Sequence, residues 1–345
     1  MMNNDVTIAI PLYNAEKFIC QTLESALSQT YPFITFLIAD DGCTDKSVEL
    51  IGKFQNNHPR GKDIRIIHNG CNLGIGETRN QLISATETKF LFFLDADDII
   101  SRDTIQLLHD NAVRYHTDMV FGSYEEINHI NGSIESSKEI YDSHYYQTTD
   151  SFATYVYRKY GGIQAQVWNI LINMDWFRST GLRFLPINYW EDFSLMIDVS
   201  TYASRVVLLS QITYYYNRYL GSLSNQANIG SYRKELILKN IGAIDYVKHN
   251  SDRIKYKSYF PGRMVKVMMT DFYIVCNILK NKDKIQPSFS KRELRDIMKS
   301  PLGFWETISL KNRKFENLFL YMLGILSPSV SVGIITILGK HKGLI

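Results

Sequence analysis

Cysteine is scarce and scattered in this chain. Cys20, Cys43, Cys71 and Cys276 never fall in a CxxC spacing, which argues against a zinc knuckle or a disulfide framework and leaves four thiols read as reduced in a cytosolic setting. The start Met1-Met2-Asn3-Asn4-Asp5 has neither the basic residues nor the long apolar core of a signal peptide, so export is not expected. No GxxxxGK(S/T) loop occurs. In the run that begins Gly74-Ile75-Gly76, Arg79 stands where a dinucleotide fingerprint needs its third glycine, so both common nucleotide loops are disfavoured. Fixed-period repeats and low-complexity tracts are missing as well. The basic residues are dispersed and form no zinc finger or RNP motif, which argues against nucleic acid as a partner.

What is present suits about two domains with room for a real core. The net charge of +3 conceals an asymmetry: Ser231 to Ile345 holds 21 Lys/Arg against 9 Asp/Glu, and Met1 to Gly230 holds 17 against 26. An acidic front and a basic back imply either different partners or two ordinary solvated surfaces.

Over the first 125 residues, short β-branched runs alternate with helical patterns. Val6 to Ile10, Ile34 to Ala39, Ile64 to Ile67, Phe90 to Leu94 and Met119 to Phe121 read as strands. Ala15 to Gln29, Asp45 to Phe54, Gly76 to Ala85 and Arg102 to Tyr115 read as helices, the second with Asp45 as a cap. Repeated βα units of this length predict an α/β fold with a mostly parallel, doubly wound sheet. Asn128 to Tyr160 is polar and rich in Tyr and Ser, with no pattern that assigns it. Glu191-Asp192 opens a helix through Thr201, Val206 to Leu209 forms a strand, and the tyrosine-rich Ile212 to Tyr219 suits a half-buried pleated surface. After Asn225 the composition turns helical and basic, so the boundary is drawn there: 1–225 and 226–345.

Acids recur at strand ends, Asp40-Asp41 after the second and Asp95-Ala96-Asp97-Asp98 after the fourth. Open α/β sheets bind ligands at that edge. Three acids in four residues repel one another unless a cation or solvent relieves them, so the fourth strand ends either in a divalent-metal site or in a solvated turn. Asp41 offers an acceptor for a uracil imino hydrogen or simply part of an Asp-Gly turn. Arg79 offers a guanidinium for a base or phosphate, or a surface ion pair.

Taken in order, the chain resembles the family-2 glycosyltransferases, the large inverting group with the GT-A fold. The likeness runs through Ile8-Ala9-Ile10-Pro11-Leu12-Tyr13-Asn14, Ala39 to Asp45, Asn72-Leu73-Gly74 with Thr78-Arg79-Asn80, and Leu94 to Asp98. It continues through Trp168-Asn169, Phe184, Glu191-Asp192, and Tyr214 to Arg218 with Gly221-Ser222-Leu223-Ser224. The resemblance implies a mixed, mostly parallel GT-A sheet over 1–225. It implies a manganese or magnesium ion at Asp97, with Asp95 on the metal or the ribose and Asp98 able to do either. Pro11, Tyr13, Asn14, Asp41, Asn72 and Arg79 match positions near the nucleoside, and Arg218, Ser222 and Ser224 match a loop over the diphosphate. Asp192 matches the base that deprotonates the acceptor hydroxyl, with Glu191 supporting it or holding an acceptor hydroxyl. Three departures stand out: no histidine occurs from Asn217 to Leu220, shortly after the tyrosines, Cys43 replaces the usual serine, and Ile170 replaces a common Lys or Arg.

Asn317 to Gly339 carries no charge and is flanked by Lys311, Arg313, Lys314, Lys340 and Lys342. Gly324, Ser327, Pro328, Ser329, Ser331 and Gly333 interrupt it, so a shallow membrane-binding helical hairpin is preferred to a span, with a core hairpin or dimer contact as the alternative. The expected protein is a metal-dependent inverting transferase of the hexosyl type. It moves a sugar from a UDP-linked donor to a glycan or lipid-linked saccharide, as in surface polysaccharide synthesis, and lies in the cytoplasm against the inner membrane face. Self-association stays open. The alternatives are a sugar-phosphate nucleotidyltransferase and an inactive glycan-binding protein of the same fold. Sugar, acceptor and linkage are not encoded in any motif.

Overall fold

A computed structural model describes residues 4–130, 133–187, 190–219 and 232–345. The boundary expected near 225 lies outside the described residues. Two compact units emerge. The first takes in the residues up to Phe152, Gln166–Leu195 and those from Tyr202 to Tyr219; the second takes in Ala153–Ala165, Met196–Thr201 and the residues from Tyr232 on.

The first unit opens with β1 (Val6–Leu12), α1 (Ile19–Leu27), β2 (Ile34–Asp40), α2 (Ser47–Asn57), β3 (Ile64–His68), α3 (Ile75–Ala85) and β4 (Phe90–Phe93). There follow in chain order β5 (Ile99–Ile100), α4 (Thr104–Tyr115), β6 (Met119–Ile130), β7 (Ser133–Glu139), β8 (His144–Tyr146), α5 (Thr149–Lys159), β9 (Ile170–Asn173), α6 (Met174–Thr180), α7 (Glu191–Val199) and β10 (Val206–Tyr219), with α5 from Ala153 on and α7 from Met196 on belonging to the second unit. The sheet runs β3-β2-β1-β4-β9-β6-β10-β5, with β7 beside β6 and β8 beside β10. β3, β2, β1 and β4 are parallel, as their βα crossovers require, and β6 and β10 are parallel; β9 runs antiparallel between β4 and β6. The expected mixed, mostly parallel architecture is therefore the observed one.

All seven residues of β1 and all four of β4 are buried, which explains their nearly continuous apolar sequence. Ile8, Ile10, Phe36, Ile38, Phe90 and Phe92 are inside the main cluster, each contributing about 1.5–3 kcal/mol by leaving water. α1 turns Ile19, Leu23, Ala26 and Leu27 inward at helical spacing. The helix expected from Asp45 starts at Ser47, with Asp45 Oδ1 accepting from the Ser47 amide at 2.9 Å.

Two differences from the sequence expectations have physical causes. The unassigned polar stretch holds the end of β6, then β7, β8 and the whole of α5; β7 is exposed along its length, so its pairing with β6 rests on backbone bonds and leaves no apolar alternation to read. Val206–Leu209 and Ile212–Tyr219, read as two strands, form one strand that shifts register between Leu208 and Ile212, and that irregularity breaks the period of two.

The second unit contains β11 (Tyr232–Arg233), α8 (Lys234–Asn250), α9 (Phe260–Lys280), β12 (Ile285–Gln286), α10 (Lys291–Ile297), α11 (Phe304–Ser309), α12 (Lys314–Ile325) and α13 (Pro328–His341). α9, buried over most of its length, is packed by α8, α10, α12 and α13. Small residues that interrupt the uncharged run make this packing. A Cβ on Gly324 would stand 2.5 Å from Met298 O, one on Gly339 3.0 Å from Cys276 Sγ, and buried Ser331 donates to Leu323 O at 2.6 Å. Two buried ion pairs lie inside this unit. Arg263 donates to Asp198 Oδ1 at 2.5 Å, to Ser251 Oγ at 2.9 Å and to Ile197 O, and Lys248 stands 2.7 Å from Asp271 Oδ2. No described helix is long and apolar enough to cross a membrane.

Candidate active site

The carboxyl ends of β1, β2 and β4 gather most of the residues singled out above. Pro11 is buried in β1, Tyr13 after it is half exposed, and exposed Asn14 takes a left-handed φ of 47°. Asn14 Oδ1 accepts from the Thr44 amide at 2.8 Å, so the turn after β1 is tied to the turn after β2. Cys43 fits the serine-like position: the Asn14 amide donates to its sulfur at 3.3 Å, and its thiol faces Leu12 O at 3.6 Å. Asp40 serves the turn itself, accepting from the Cys43 amide at 2.8 Å while Gly42 supplies a φ of 78°.

Asp41, 4% exposed, pins the next loop. Its Oδ1 accepts from the Leu73 amide at 2.8 Å and Asn69 Nδ2 at 3.0 Å, and its Oδ2 from the Gly74 amide at 3.1 Å. Asn72 lies exposed on that loop. Gly74 and Gly76 thus have structural uses. Gly74 has a φ of 86°, and a Cβ on Gly76 would sit 2.3 Å from Leu185 O.

The segment so closely approached is clamped by α3. Asn80 donates to Phe184 O and accepts from the Phe184 amide, both at 3.1 Å. One residue earlier, Arg79 reaches the acids. It donates to Asp95 Oδ1 at 3.0 Å, to Glu191 Oε1 at 2.9 Å and to Asp192 Oδ1, with its guanidinium 5.6 Å from the Phe184 ring centroid. Its side chain is 4% exposed and its Nε finds no hydrogen-bond partner. Arg79 joins the acid turn after β4 to the first turn of α7.

The three acids of Asp95-Ala96-Asp97-Asp98 have different surroundings. Fully buried Asp98 accepts from Tyr214 Oη and from the Asn217 amide, both at 2.7 Å. The Tyr214 oxygen also accepts from the Asp95 amide at 3.2 Å, and its ring lies flat on buried Trp168, centroids 4.5 Å apart and planes 7° apart. Asn169 beside it has a φ of 61° and donates to Gly122 O at 2.7 Å, which fixes the Trp168 backbone in place. Asp95 and Asp97 remain for the solvent side.

Charge is unevenly shared. Burial, then the Asp95 charge, pushes Asp97 up to about 7. Burial raises Asp98 well above the carboxylate range, with Asp97 and Asp95 adding to it and Tyr214 and Asn217 opposing. Burial also raises Asp192, against Arg79 and helped by Glu191 and Asp95. Burial alone would lower Arg79, and the carboxylates of Asp192, Asp95 and Glu191 overcome it and hold the guanidinium charged. Among the described residues, no three His, Cys, Asp or Glu group to hold a metal ion by themselves.

Arg218 in β10 pairs with Glu126 Oε1 at 3.0 Å, on the neighbouring strand β6. Ser222 and Ser224 lie outside the described residues. Sequence reasoning passed over His129. It pairs in register with Tyr219, stacks on it at 4.3 Å, and places Nε2 3.0 Å from Asn217 Oδ1. Only the cross-strand register brings it there. Tyr219 also stacks on Phe18, centroids 4.3 Å apart.

Comparisons with known proteins agree with this architecture. The family model described as glycosyl transferase family 2 matches residues 7–187. The chain is 28% identical over 232 residues to the glycosyltransferase GlyA of Streptococcus pneumoniae, a match covering 65% of this chain and 32% of GlyA. It is 29% identical over 248 residues to WfaP of Escherichia coli, a UDP-Glc:alpha-D-GlcNAc-diphosphoundecaprenol beta-1,3-glucosyltransferase, covering 69% of this chain and 86% of WfaP. The crystal structure of S. aureus TarS residues 1–349 in complex with UDP-GlcNAc superposes with a TM-score of 0.62 at 14% identity, covering 99% of this chain and 92% of that one.

Proposed function

Because this chain belongs to glycosyl transferase family 2 and is a glycosyltransferase with the GT-A arrangement, we propose that it transfers a sugar, with inversion, from a UDP-linked donor to a glycan or lipid-linked saccharide. The observation that carries this reading is Arg79, which holds Asp95 at the end of β4 and Glu191 and Asp192 at the start of α7 on one guanidinium. The acid assigned to the donor and the acid assigned as base share this one cation, which supports the reading. UDP-sugars named for TarS and WfaP support the choice of nucleotide, and the alpha-D-GlcNAc-diphosphoundecaprenol named for WfaP supports a lipid-linked saccharide acceptor, as in surface polysaccharide synthesis at the inner membrane face.

Asp192 takes the proton of the acceptor hydroxyl as that oxygen bonds the anomeric carbon. On the opposite side the bond to the diphosphate breaks, and its electron pair leaves with the phosphate oxygen. A carboxylate at the first turn of a helix, with its affinity for protons raised by burial, suits this work. Glu191 and Arg79 orient it. Pro11, Tyr13, Asn14, Asp41 and Asn72 border the nucleoside, and Arg218 faces the diphosphate; for Ser222 the same role rests on the family likeness alone.

Manganese or magnesium fits the acid turn. Asp97 and Asp95 are oxygen donors in a cluster with Asp98, Glu191 and Asp192, and among the described residues Arg79 is the cation that joins it. With Asp98 committed to Tyr214 and Asn217, two carboxylates are left, and phosphate oxygens commonly complete such a site. The ion would neutralise charge on the departing diphosphate.

The test is a panel of nucleotide sugars with manganese or magnesium, read by release of nucleoside diphosphate. Asp192→Asn should slow release by about 10²–10⁴-fold while calorimetry finds nucleotide affinity unchanged. Undiminished turnover would remove Asp192 as base, and release of pyrophosphate from a nucleoside triphosphate and a sugar phosphate would favour a nucleotidyltransferase.

A further inference from the structure

We propose that the outer faces of α12 and α13 form a surface that docks on an anionic lipid bilayer without crossing it. The inward stripe of each helix is satisfied: Asn317, Leu320, Leu323 and Gly324 on α12, and Ser331, Val332, Ile335 and Gly339 on α13, are buried. On a solvated helix the opposite stripe should be polar. Here it is not. Phe315 and Phe319, one turn apart, are 83% and 44% exposed and continue through half-buried Met322 to Ile325 at 52%; on α13, Val330 and Ile337 are 49% and 70% exposed. Trp305 on α11, which packs against α12, is 76% exposed. Adjoining exposed apolar side chains of this kind mark a docking surface rather than ordinary scatter.

Charge selects the occupant. Lys311 and Lys314 before the apolar faces and Lys340 and Lys342 after them are all exposed, and Glu316 is the single acid from Lys311 to the end of the chain. A symmetric contact between two copies would set these lysines against one another with only Glu316 to answer them. An anionic bilayer supplies what both features lack, an apolar layer for the Phe and Ile side chains and headgroup phosphates for the ammonium groups. Tryptophan and long lysine stems suit that boundary.

The proposal deepens the lipid-linked acceptor reading, yet its test needs neither sugar donor nor metal. Full-length protein is floated with vesicles of phosphatidylcholine alone or mixed with phosphatidylglycerol. It should rise with the mixed vesicles, remain behind with the neutral ones, and detach in high salt. Phe315→Ser combined with Phe319→Ser, and separately Lys340→Glu combined with Lys342→Glu, should each lower partitioning by about tenfold or more while both proteins melt as the parent does. No flotation of the parent, or equal flotation of both variants, would overturn the proposal. So would a dimer in light scattering that the Phe substitutions dissolve, which would give the face to a second copy. Failed flotation would leave the transferase reading standing, and failed turnover would leave the bilayer reading standing.

Discussion

Around Arg79 one guanidinium is shared by three carboxylates, with Asp97 and Asp98 beyond them, whereas in the second unit the buried acids are well supplied with cations. Asp198 has Arg263 at 2.5 Å and Arg253 at 3.7 Å, and Asp271 has Lys248 at 2.7 Å. Even so, burial pushes Asp271 up to about 7, with Lys248 opposing. Matched charges of this sort answer to the fold alone. A surplus of acids weakens the fold, because each uncompensated carboxylate costs stability, and surpluses of this kind cluster at functional sites.

The comparison can be broken from either side. The largest change in stability should come from Arg263→Ala, which takes the buried cation from Asp198 and a donor from the Ile197 carbonyl: about 3–5 kcal/mol lost in chemical unfolding. A loss under about 1 kcal/mol would mean that the matched pair is incidental. Asp97→Ala should behave in the opposite way. The metal-free protein should melt no lower than the parent, since a repelled carboxylate has gone, while calorimetry shows manganese-dependent UDP binding weakened by at least about tenfold, or 1.4 kcal/mol. A fall in melting temperature with intact binding would return Asp97 to a structural role. The smallest effect should be that of Cys43→Ser, at less than about 1 kcal/mol in unfolding, because both neighbours of the sulfur, the Asn14 amide and Leu12 O, also suit a hydroxyl.

The βα alternation from Val6 to Phe121 was legible because buried parallel strands are written as apolar runs and their helices as 3.6-residue stripes. The acid turn was legible for a similar local reason. Partners distant in the chain were not. Arg263 and Asp198 stand 65 residues apart, and Arg79 and Glu191 112 apart; neither pair leaves any periodic trace. His129 belongs with them, since only the register of β6 against β10 sets it on Tyr219. The C-terminal run was half legible: its lack of charge announced two helices in apolar surroundings, but only the packing separates Gly324, Ser331 and Gly339 on the inside from Phe315 and Ile337 on the outside.

Asp98 works as a mechanical anchor. With both oxygens fastened to β10, through Tyr214 and Asn217, the short turn that presents Asp95 and Asp97 has little independent travel. Any shift of that 14-residue strand, whose rails are β6, β8 and β5, would be handed on to the turn as a displacement of Asp97. The acid that contributes least to the ligand's surroundings would then set how accurately the other two are aimed.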